Sequence, residues 1–167
     1  DESFSDQWKA EDFDDSSWII SSQPLGFENS NGTLEQYITS NIADQMKGVN
    51  SSGFFRYDFD IDKPIEDIIS LKLSTRIDDG YVAHLNGVEL ISFNAPEILK
   101  FDSSATSSRQ DLNVITDPIS TFINKDLLLE GRNVIAIQGM NRSLGSSDFF
   151  LDTELEIISK KEAVGEA

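Results

Sequence analysis

Residues 69–93, ISLKLSTRIDDGYVAHLNGVELISF, decide the fold class of this chain. Ile69, Leu71, Leu73, Thr75 and Ile77 alternate with Ser70, Lys72, Ser74 and Arg76. This is the period of two by which a β-strand turns one face to a core and the other to water. Asp78-Asp79-Gly80 then reads as a hairpin turn. Tyr81, Ala83 and Leu85 alternate with Val82 and His84 as far as Asn86-Gly87, a dipeptide that tolerates the positive φ angles of a two-residue hairpin loop. Val88–Phe93 returns as the next strand. The stretch predicts three consecutive antiparallel strands.

The same period extends in both directions. Upstream, Phe55, Tyr57, Phe59 and Ile61 alternate with Arg56, Asp58, Asp60 and Asp62, and Pro64 closes the run. Residues 23–52 are rich in Ser, Asn and Gly and predict a long loop around a short strand or turn. Downstream, residues 94–113 predict a polar loop across one end of the fold. Residues 115–123 fit a strand or a short helix, with Asp117-Pro118 as able to open a helical turn as to continue an extended segment. Leu127-Leu128-Leu129 with Gly131-Arg132-Asn133 reads as an apolar anchor and a turn. Residues 134–140 and 149–158 are strands; in the last, Phe149, Leu151, Thr153, Leu155 and Ile157 share one face, and Asp152, Glu154 and Glu156 the other. Seven or eight strands without a long helix predict an all-β fold, an antiparallel two-sheet β-sandwich of jelly-roll type.

Composition bounds the function. The chain has 167 residues, 13 Lys plus Arg and 30 Asp plus Glu, for a net charge of −17. One domain accommodates that length, expected over residues 1–158, with 159–167 as a linker or tail of a longer protein. The 11 Phe, 3 Tyr and 2 Trp provide a core that a disordered acidic chain would lack. A strongly acidic chain without a basic block opposes nucleic-acid binding, which needs clustered cations to displace counterions, and opposes an anionic membrane surface. No apolar run reaches the length of a membrane span, and a monomer is expected.

Catalytic chemistry is scarce. With no cysteine and one histidine, His84, neither a thiolate centre nor a two-histidine metal site can be assembled. No Gly-x-Ser-x-Gly elbow and no glycine-rich phosphate loop occur. Asp78-Asp79 is a poor glycosidase pair, because such carboxylates face each other across about 5–9.5 Å and adjacent hairpin residues diverge.

Several strings occur in an order that resembles the galactose-binding-domain-like accessory jelly rolls attached to secreted bacterial hydrolases and surface proteins. They are Trp8 with Phe13-Asp14-Asp15-Ser16-Ser17-Trp18, Pro24-Leu25-Gly26-Phe27, Phe54-Phe55-Arg56, residues 78–90, residues 131–136, and residues 146–152. The resemblance implies a non-catalytic module that recognises glycans or holds neighbouring domains, often with a structural calcium ion.

The residues themselves nominate a site. Arg76 and His84 fall on the polar side of the expected hairpin, where a guanidinium and an imidazole could hydrogen-bond sugar hydroxyls. Arg56, Asn141 and Arg142 are candidates to join them from another strand and a loop, and Tyr37 is a candidate stacking platform in the irregular segment. Trp8 and Trp18 are expected in the core rather than on a platform. Asp14 and Asp15 with Asp152 are candidate calcium ligands, since calcium takes six to eight oxygens; alternatively Asp14 or Ser16 caps a turn around Trp18. The expectation is a non-catalytic carbohydrate-binding-type module that targets a secreted or surface protein to a poly- or oligosaccharide. The alternative is a structural or protein-interaction module that docks neighbouring domains and has no sugar site.

Overall fold

A computed structural model describes residues 6–29 and 32–160 of the chain. The strands are β1 (Leu25–Phe27), β2 (Ser40–Asn41), β3 (Ser52–Ile61), β4 (Ile68–Asp78), β5 (Gly80–Leu85), β6 (Val88–Phe93), β7 (Ile119–Ile123), β8 (Gly131–Met140) and β9 (Phe149–Ser159). Two short helices, α1 (Ala43–Met46) and α2 (Asp111–Thr116), interrupt them. One sheet runs β2-β1-β9-β4-β7 and the other β3-β8-β5-β6. All pairings are antiparallel except β1 with β2. The fold is a β-sandwich, as the alternation predicts.

The core lies between the sheets because each contributes its apolar face. Leu71, Leu73 and Ile77 of β4 and Leu151 of β9 meet Ala83 and Leu85 of β5 and Ile135 and Ile137 of β8. Phe55, Tyr57 and Phe59 pack on this cluster from β3. No described helix is long and apolar enough to cross a membrane.

Besides the turn read at Gly131-Arg132-Asn133, whose residues instead begin β8 opposite Ile61, Asp60 and Phe59, three local expectations change. First, β4 and β5 are not a hairpin: they belong to different sheets, and Asp78-Asp79-Gly80 carries the chain across the sandwich. Alternation cannot separate the two cases, because a strand turning back and a strand crossing over both keep every second residue apolar. The Asp78–Asp79 peptide bond is cis, as is Gln23–Pro24. By contrast, Asn86-Gly87 does close the β5–β6 hairpin, with φ of 49° and 88°. Second, Ile69 leaves the core face and is 64 % exposed, while Ile68 is buried; the β4–β9 register shifts between Ile68 and Ser70, and a bulge reverses the facing of every residue before it. Third, the alternatives for residues 115–123 resolve into the end of α2 and strand β7. Asp117, placed before Pro118, has φ −132° and ψ 74° and cannot continue the helix.

Candidate functional site

The outer face of the four-stranded sheet carries a concave cavity. Its floor is made where β5 and β8 run side by side, with His84 opposite Ala136 and Val82 opposite Gln138. Two segments cross this floor as walls. One is the 3-10 turn Asp6–Lys9, whose Trp8 packs on Val134 and Ala136 and meets the Phe54 ring edge-on at 4.9 Å. The other is the loop around residues 99–102.

Buried polar side chains hold both walls. Arg56, with its side chain 2 % exposed, ion-pairs with Asp15 at 2.7 Å and donates to the carbonyls of Trp8 and Ala10; its guanidinium also lies 5.3 Å from the Phe13 ring centroid. On the other side Ser51 Oγ donates to Asp102 O at 2.8 Å and Ser52 Oγ to Ser103 O at 2.7 Å. Gln138 Nε2 donates to Lys100 O at 2.7 Å and to Ser52 Oγ at 3.0 Å. The space left between the walls is a cavity of 630 Å³, within the range of small-ligand pockets.

His84 lies at its base, 4 % exposed and 6.2 Å from the Trp8 ring. Its Nδ1 makes no hydrogen bond, an omission that costs about 1–3 kcal/mol for a buried polar atom. Burial first, and the nearby Lys9 ammonium second, lower the imidazole pKa below its ordinary value and outweigh the backbone at Ala136 and the acids Glu89 and Asp6. The ring is therefore neutral at pH 7.

The structure separates the other sequence candidates. Arg76 is not beside His84: it points from the outer face of the five-stranded sheet, pairs with Asp152 at 3.3 Å, and borders a 220 Å³ depression with Lys72 and Glu154. This follows from the crossover, which puts the outward faces of β4 and β5 on opposite sides of the sandwich. Asn141 is buried, bonded through its backbone to Ser51 and Ala105, with Oδ1 unpaired. Arg142 donates its backbone N–H to Asp79 Oδ2 at 2.7 Å and its guanidinium to Ala105 O at 3.3 Å. Tyr37 is exposed in the 3-10 turn Glu35–Tyr37, away from these groups.

The carboxylates are also redistributed. Asp14 Oδ1 accepts the Ser16 N–H at 3.0 Å, the capped turn that was the alternative to calcium. Asp15 is committed to Arg56, and Asp152 to Arg76 on the opposite face, so Asp14, Asp15 and Asp152 do not meet. Glu28, Asp111 and Asp148 do: one oxygen of each lies within 4.8 Å of the others. Burial, then Asp148, raises the Glu28 pKa; burial, with Asp111 and Asp79 adding to it, raises that of Asp148. Glu28 Oε2 is enclosed without a partner. An all-oxygen set relieved by a cation suits a hard ion such as calcium. No spacing motif could reveal these residues, because they come from the end of β1, the start of α2 and the residue before β9.

Asp78 and Asp79 are buried. Asp79 accepts the backbone N–H groups of Arg109 and Arg142, each at 2.7 Å, and so ties two loops to the crossover. A second cavity, of 690 Å³, is more apolar: Trp18, Ile20, Ile42, Phe55 and Phe101 line it, and Ile20 is 98 % exposed.

No protein-family model matches the sequence, and no curated protein matches it. Solved structures align with most of the chain. A glycosyl hydrolase family 2 member from Bacteroides cellulosilyticus aligns at 17 % identity and TM-score 0.51, covering 88 % of this chain and 18 % of that one. A beta-glycosidase from Bacteroides vulgatus aligns at 12 % identity and TM-score 0.48, covering 89 % and 17 %. A calcium binding mutant of Bacteroides uniformis beta-glucuronidase 2 aligns at 11 % and 0.47, covering 86 % and 16 %. The chain spans less than a fifth of the length of each.

Proposed function

We propose that the chain is a non-catalytic carbohydrate-binding-type module, a galactose-binding-like sandwich within a longer secreted or surface protein, and that it takes a glycan in the cavity above β5 and β8. The observation that carries this reading is the cavity itself. Its two walls are fastened by buried donors, the partly buried Phe54 ring lines one side, and an uncharged imidazole lies at its base. Binding of this kind needs hydrogen bonds and an apolar face, and no acid, base or nucleophile. The shared sandwich fold in a glycosyl hydrolase family 2 member supports membership of a multidomain carbohydrate-active protein.

Thermal unfolding across a panel of plant, algal and microbial glycans tests the reading. A ligand at 100 times its Kd stabilises the native state by about 2.7 kcal/mol, and Tm is expected to rise by several degrees with at least one glycan. A flat response to every glycan would favour the second reading, a module that docks a neighbouring domain. The exposed Ile19 and Ile20 beside the apolar cavity support that alternative. Glu28, Asp111 and Asp148 are the residues we assign to a structural calcium ion in either case.

A further inference from the structure

The rim and floor of the His84 cavity carry information about which sugars fit. On the rim, Lys9 is committed to Asp6 at 2.7 Å. Lys100, Glu89 and Asp102 also border the cavity and form no ion pair among the described residues. Two carboxylates therefore face one ammonium, and His84 adds no positive charge. An anionic ligand would enter against this local excess and against the −17 charge of the whole chain.

The hydrogen-bonding groups are mixed in polarity. Gln138 uses its amide nitrogen on Ser52 and on the Lys100 carbonyl, which leaves its Oε1 as an acceptor. Lys100 donates only, and Glu89 and Asp102 accept only. A sugar hydroxyl donates and accepts at once, so it satisfies both kinds of partner, whereas a carboxylate or sulfate can only accept. Phe54, partly buried against the enclosed Trp8, supplies the apolar surface that the C–H face of a pyranose ring requires.

Resting on the glycan reading above, we infer that the cavity selects a short uncharged saccharide, held through His84, Gln138, Glu89 and Lys100, and that it rejects uronates and sulfated sugars. The cavity volume suits an oligosaccharide of a few rings rather than a long polymer laid across the sheet.

The single histidine makes the test direct. Imidazole 15N resonances can come only from His84, so they report on the cavity floor during titration with cellotriose, maltotriose, mannotriose, xylotriose and galactotriose, and with trigalacturonate and a sulfated heparin disaccharide. At least one neutral trisaccharide is expected to shift these resonances. Lys100→Ala, which removes only an exposed side-chain tip, and His84→Asn should each weaken that sugar about tenfold. Asp102→Lys should admit trigalacturonate. Tighter binding of an acidic sugar by the unaltered chain would overturn the selectivity. Neutral binding with His84 resonances unmoved would overturn the site and leave the glycan reading intact. No binding of any glycan, short or polymeric, would overturn both.

Discussion

Asp79 hydrogen-bonds through both its side chain and its backbone. Its carboxylate receives two backbone N–H groups, its own N–H donates to Met140 O at 3.1 Å, and its carbonyl receives Asn94 Nδ2 at 3.1 Å. Its neighbour bears the consequence. Burial first, and the charge of Asp79 next, raise the Asp78 carboxyl pKa well above 3.8. The native state then holds a proton that the unfolded chain releases, so stability from this group is complete below the unfolded value and is lost as pH rises toward the native one. Asp78→Asn, which mimics the protonated form, should therefore raise Tm at pH 7–8 by the equivalent of at least about 1.4 kcal/mol, one pKa unit. The gain should vanish near pH 4. Tm measured for both chains across that range checks this, and parallel curves would count against it.

At the scale of elements, the short strand β1 seals one side of the larger sheet between β2 and β9. Gly26 permits that contact: a Cβ there would lie 2.1 Å from the Phe149 carbonyl oxygen, a backbone atom that cannot swing aside. Gly26→Ala should cost about 1–3 kcal/mol or more and expose the β1–β2 amides to hydrogen exchange before the β5–β8 amides. Uniform exchange would mean that β1 moves with the rest of the sandwich. Legibility at this scale follows locality. The β5–β6 hairpin was readable because its turn chemistry lies in two adjacent residues. The β4–β5 crossover was not, because the partners that draw Asp79 inward, Arg109 and Arg142, are 30 and 63 residues away.

Over the whole molecule, the two outer faces differ in what they leave available. The five-stranded face pairs Arg76 with Asp152, while the four-stranded face keeps a walled, open cavity, and a separate acidic cluster gathers at the ends of β1, α2 and β9. If calcium occupies that cluster, millimolar calcium should raise Tm and EDTA should reverse the rise. The effect should be larger at pH 7.5 than at pH 5, since Glu28 and Asp148 hold protons more tightly than ordinary carboxyls and must release them to a metal. Asp148→Asn should abolish the response, and its persistence in that variant would place the ion elsewhere.

The sequence by itself determined the all-β class, the places of the long strands along the chain, the inward and outward faces of most of them, and the scarcity of recognisable catalytic motifs. Those properties depend on residue type and on spacing along one strand, where pleating forces alternate side chains to opposite sides. Only the tertiary structure decided which faces end up together. It sent Arg76 and His84 to opposite sides, used Arg56 and Asp15 as a strap, and gathered Glu28, Asp111 and Asp148 from distant segments. The physical reason is that a period of two specifies the face of a strand but not its sheet or its neighbour. Those are chosen by packing, and by the hydrogen bonds that buried polar side chains must find across the fold.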